Sequence, residues 1–136
     1  MKQHIFRWFV PILLLALLSA CSKDDSSKIE YKWQLQCYEF ANGTSQQVDS
    51  VYYNLQGGSF SAICMLGLDN YESFFGNYTL QDGKLSIVLL PEYEGRATYR
   101  KYFAWENYTR SFEIAELTSS TMRLKYDDVT YVFRKY

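Results

Sequence analysis

From Ile29 to Tyr136, apolar and polar side chains alternate with a period of two, the pattern of strands with one face buried. Trp33, Leu35 and Cys37 alternate with Lys32, Gln34 and Gln36, which predicts a half-buried strand with the indole inside. Val51, Tyr53 and Leu55 repeat the pattern, followed by Phe60, Ala62, Cys64 and Leu66. Ile63 and Met65 make the second face of that strand apolar too, so it is expected to be covered on both sides. Later strands follow at Phe74–Leu80, Leu85–Leu89, Phe112–Ile114, Met122–Tyr126 and Val129–Phe133. Between them stand residues that accept positive φ: Asn42-Gly43, Gly57-Gly58, Asp69-Asn70, Asp82-Gly83 and Asp127-Asp128. Gly76, lacking a side chain, would let its strand bend as a barrel corner requires.

These runs give about eight strands joined by hairpins, and hence an all-β antiparallel meander. An open meander leaves two sheet edges unpaired, and closure into an up-and-down barrel removes both. A roughly eight-stranded barrel is therefore expected, with a β-sandwich as the alternative. The weakest stretch is Glu92–Thr109, read as a long connection with a short helical segment. With 13 Tyr, 9 Phe and 3 Trp, the chain carries the apolar mass a folded core needs.

The first 20 residues have a different character. Lys2, His4 and Arg7 precede an apolar run from Trp8 to Leu18, too short to span a bilayer but suited to a secretory signal. Leu18-Ser19-Ala20-Cys21 follows and resembles the lipobox of bacterial lipoproteins, which makes Cys21 the expected lipidation site. Acyl chains contribute ~0.8 kcal/mol per buried CH₂, so two or three would hold the protein on a membrane. Residues 21–30 then form a polar tether, and 31–136 the barrel domain. Lys23-Asp24-Asp25 resembles the acidic export tag of Bacteroidetes surface lipoproteins. Surface display on the outer membrane is expected, with a periplasm-facing location as the alternative.

Phe112–Leu117, Met122-Arg123-Leu124 and Tyr131–Tyr136 resemble the closing strands of the lipocalin-like domain family. Trp33-Gln34-Leu35, soon after the modified cysteine, resembles the opening of its small Bacteroidetes lipoproteins. The resemblance covers about residues 31–136 and implies a small meander barrel. It brings no catalytic residues with it.

The chemistry that the chain lacks narrows its function. Removing the first 20 of 136 residues leaves 116, with 12 Lys and Arg against 15 Asp and Glu, a balance unsuited to nucleic acid. His4, the only histidine, leaves with the signal, so no His-based catalysis or metal ligation is expected. No C-x-x-C occurs, and Glu92-x-Glu94 and Asp127-Asp128 read as solvated turn acids rather than a catalytic pair. No enzyme activity, cofactor or metal is expected. Cys37 and Cys64, on the first and third strands, are expected to be two buried thiols, with a disulfide as the alternative. Asn42, Asn77 and Asn107 head glycosylation-type triplets, and Asp49-Ser50-Val51 resembles a Bacteroidetes O-glycosylation motif with the sugar on Ser50.

The aromatic residues point to binding. Trp33, Tyr53, Phe74, Tyr78, Phe112 and Tyr131 fall on inward positions and either fill the barrel or line its mouth. Tyr99, Tyr102 and Trp105 fall on the long connection, where exposed aromatic side chains would serve an interface. The expected function is a non-catalytic, lipid-anchored module that captures a small hydrophobic or amphipathic ligand. The alternative is an interaction protein docking a partner protein or glycan through Tyr99, Tyr102 and Trp105.

Overall fold

The computed structural model describes residues 26–93, 101 and 103–136. Nine antiparallel strands form one sheet: β1 (Lys32–Phe40), β2 (Ser45–Gln47), β3 (Val51–Gln56), β4 (Ser59–Gly67), β5 (Asn70–Gln81), β6 (Lys84–Leu89), β7 (Thr109–Leu117), β8 (Thr121–Tyr126) and β9 (Val129–Lys135). The spatial order is β2-β1-β3-β4-β5-β6-β7-β8-β9, and β1 also pairs with β9. That last pairing closes an eight-stranded barrel and excludes the sandwich.

β2 is the ninth strand, and its all-exposed Ser-Gln-Gln sequence carries no alternation to announce it. It has a structural reason. β1 pairs with β3 only along Lys32–Gln34, after which the two strands part. β2 takes up the edge of β1 beyond that point, pairing with Cys37–Glu39. Asn42-Gly43 therefore turns the chain into β2 rather than β3, with Gly43 at φ +86°.

A bulge between Leu35 and Cys37 in the β1–β9 ladder changes the predicted phase. An extra residue in one strand shifts every later side chain to the opposite face. Trp33 and Leu35 point inward as expected, but beyond the bulge Tyr38 packs on inward-facing Tyr131, with ring centroids 4.9 Å apart. Cys37 is half-buried on the outer side instead. Cys64 is in the core, and no disulfide joins the two thiols. β4 also departs from expectation at its far end. Met65 and Leu66 are exposed because the β4–β5 ladder runs past the barrel rim, through a bulge at Met65–Gly67.

One end of the barrel is closed. Residues 26–29, expected in the polar tether, instead form a helical turn that buries Ile29 under Trp33, because the apolar Ile29 side chain caps the barrel end and its carbonyl accepts from the Trp33 indole Nε1 over 2.9 Å. The other end is entered by the connection between β6 and β7. It begins with a 3-10 turn at Pro91–Tyr93, and residues 101 and 103 are helical. Phe103 and Trp105 then reach into the barrel. Ala104, between them, lies at φ +57°, a left-handed conformation that costs an L-residue about 1–2 kcal/mol. Two aromatic side chains buried together offset that cost.

Gly76 pairs with Leu89 in the β5–β6 ladder, where the backbone of β6 lies against it. A Cβ there would lie 2.2 Å from the Val88 carbonyl oxygen and 2.8 Å from the Leu89 Cα. Both obstacles are backbone, so the sheet itself would have to move. Gly76→Ala should lower the unfolding free energy by about 3 kcal/mol in urea titrations.

Candidate functional site

The barrel interior is filled around Tyr53. Its ring lies 4.8 Å from Phe133 and 5.1 Å from Phe60, and its hydroxyl accepts a hydrogen bond from Trp105 Nε1 at 3.2 Å. Phe103 packs on Phe74 at 4.5 Å. Trp105 is only 1 % exposed, a correction to its expected place on an outer aromatic surface. The physical reason is the large apolar area of its indole, whose single N–H finds a buried acceptor in Tyr53. Tyr99 and Tyr102, the other two residues expected there, lie outside the described residues.

The plug also decides which inward residues can meet a ligand. Trp33, Tyr53, Phe74 and Phe112 are packed into the core, and Tyr78 is nearly so. None of these five borders the main cleft, because Phe103 and Trp105 occupy the space they would have lined. Tyr131 does border it. The cleft has a volume of about 490 Å³ and opens at the plugged end, on the side where β2 bridges the gap beside β1. Tyr38, Phe40, Val48, Val51, Val129 and Tyr131 supply its apolar walls. Lys101, Glu106 and Asp127 stand at its exposed rim.

At the inner side of the cleft lies Arg110, only 5 % exposed. Its Nη1 donates to the Tyr131 hydroxyl at 3.1 Å. The guanidinium carbon sits 3.6 Å from the centroid of Tyr126 and 5.5 Å from that of Trp105, a cation–π setting. Sequence reading passed over this residue. The signal was the alternation itself: Arg110 shares its strand face with Phe112, so a charged side chain falls on an inward position. Gln34 is the other buried polar residue among those described, and its amide bonds the Asp49 carbonyl and the Tyr52 hydroxyl at 3.1 Å each.

Burial raises the Tyr53 phenol well above its ordinary range, and neighbouring Tyr131 and Tyr38 add to the effect. Tyr38 and Tyr131 are raised for the same leading reason, with Arg110 pulling the other way. Burial pushes the Cys64 thiol from 9.0 up to about 12. Cys37 is also raised, by burial first and then by Glu39, against the opposing Arg123. Arg123 pairs with Glu39 and approaches Glu116 to 3.8 Å on the barrel exterior. Among the described residues, no group of three His, Cys, Asp or Glu side chains converges as a metal site.

A group of exposed apolar side chains lies elsewhere, where β4 and β5 project beyond the rim. Leu68 and Tyr71 are exposed there with Met65 and Leu66, and Leu68 is 99 % exposed.

The profile of the lipocalin-like domain matches residues 16–136. A lipocalin-like protein from Bacteroides uniformis ATCC 8492 superposes with a TM-score of 0.74 at 45 % identity, over 80 % of this chain and 99 % of that one. An uncharacterized protein from Bacteroides eggerthii DSM 20697 gives 0.72 at 42 %, over 78 % and 98 %. A protein from Burkholderia xenovorans has a similar fold, with a TM-score of 0.50 at 23 % identity, over 79 % and 82 %. No curated protein matches the sequence significantly.

The raised thiol and phenol groups fix the direction of an alkaline effect. Each holds its proton to higher pH when folded than when unfolded, so above pH 9 the unfolded chain binds fewer protons. Stability conferred by Cys64 is thus full below pH 9 and is lost as pH rises toward 12. Denaturation midpoints should fall progressively across that window. At pH 8, iodoacetamide should alkylate Cys37 about tenfold faster than Cys64 in the folded protein, and both equally in urea.

Proposed function

Because this chain belongs to the lipocalin-like domain family, we propose that it is a non-catalytic binding module whose cleft captures a small amphipathic ligand. The observation that carries this reading is the cleft of about 490 Å³, a volume in the range of small-molecule sites. Its apolar walls and polar rim match the chemistry of such a ligand. A guest would rest at the mouth, between β2 and the Trp105 plug, rather than along the barrel axis.

The module works tethered. Cys21 is the lipidated residue, and the protein is displayed on the outer membrane. Support comes from the short apolar run before Leu18-Ser19-Ala20-Cys21 and from the polar tether that follows. Geometry agrees with that arrangement, since the chain enters the barrel at the end closed by Ile29 and the cleft opens at the opposite end. The alternative, a partner protein or glycan held by aromatic residues of the connection, loses its strongest candidate with Trp105 in the core.

Two measurements test this. Val129→Trp, which fills the cleft from a partly buried position, should weaken binding of the apolar fluorophore N-phenyl-1-naphthylamine at least about tenfold. Undiminished binding would sink the cleft as the ligand site. Cys21→Ser should move the protein from the membrane to the soluble fraction and abolish incorporation of labelled fatty acid. A variant that stays membrane-bound would remove the anchor.

A further inference from the structure

We propose that Arg110 receives the acidic head of the ligand, so that the cleft takes amphiphiles carrying a carboxylate. The inference rests on the reading of the cleft as a ligand site and deepens it. Arg110 is a buried permanent cation, and among the described residues no carboxylate forms an ion pair with it. A charge taken out of water is costly unless paired and hydrogen-bonded, and ring faces offset only part of that cost. Among the described residues, its side-chain hydrogen bond goes to the neutral hydroxyl of Tyr131. Burial keeps the nearby phenols of Tyr38, Tyr53 and Tyr131 protonated, so they supply no compensating negative charge.

No buried polar side-chain atom among the described residues lacks a hydrogen-bond partner. Arg110 lines the cleft together with Tyr131, the residue its guanidinium bonds. The planar fork of a guanidinium matches the two oxygens of a carboxylate. Glu106 and Asp127 at the rim are exposed and, with Lys101, form a mixed collar that solvent and salt screen. Arg110 is not screened in this way. An acid reaching it would lay its apolar body against Tyr38, Val51 and Val129.

Calorimetric titration of the lipid-free full barrel with three probes of equal chain length tests the assignment: dodecanoate, dodecan-1-ol and dodecyltrimethylammonium. Dodecanoate should bind about 10- to 100-fold more tightly than the alcohol, the range expected of a charge-assisted hydrogen-bonded contact. Arg110→Met should bring that ratio close to one. Tyr131→Phe, which removes only the hydroxyl that orients the guanidinium, should lower the ratio severalfold in a protein that still folds. Equal binding of acid and alcohol by the wild type would overturn the role of Arg110 while leaving the cleft a ligand site. So would tightest binding of the ammonium probe, or an unchanged ratio in Tyr131→Phe. Binding of none of the three would remove both readings.

Discussion

A sheet edge is a row of unsatisfied N–H and C=O groups, and in this chain β1 meets that demand on both sides. Its outer side pairs with β9 from Trp33–Lys135 to Phe40–Val129. Its other side is shared, first by β3 and then by β2. Closure fixes the volume that inward side chains must fill, and the strands alone do not fill it. Phe103 and Trp105, from the β6–β7 connection, complete the packing around Tyr53. The same division creates the cleft. Where β1 and β3 part and β2 steps in, the wall is wider than the plug can reach, and that space stays open beside Arg110 and Tyr131.

Arg110 belongs both to the packed interior and to the wall of the cleft. Its aliphatic stem and delocalised cation pack against Tyr126, Trp105 and Phe112, so it behaves as a core residue. Its charge nevertheless persists in a setting of aromatic faces and neutral hydroxyls. A hydrophobic residue of similar volume would satisfy the packing more cheaply. A buried cation with no ion pair among the described residues therefore costs stability that packing alone does not repay.

Much of the fold was legible in the sequence because it is written in two robust codes. Turns at Gly57-Gly58, Asp82-Gly83 and Asp127-Asp128 require positive φ, and these residue types announce it. Burial of alternate residues in β3, β6 and β9 follows directly from their polarity. What stayed hidden lacks any periodic signature. β2 is three polar residues, and the Leu35–Cys37 bulge is one residue of slippage that turned Tyr38 inward and Cys37 outward. The destination of Trp105 depended on tertiary space left by other elements. Arg110 was legible by phase, but its charge argued for the surface. The candidate site was thus readable only in part: Tyr131 was found, while the cation beside it was not.

The Trp105–Tyr53 contact has a consequence for exchange with the surroundings. With the axis of the barrel occupied by the protein's own indole, the cleft stops at the rim and one side of it stays open to solvent. The cleft is shallow by construction, open to whatever solution bathes it.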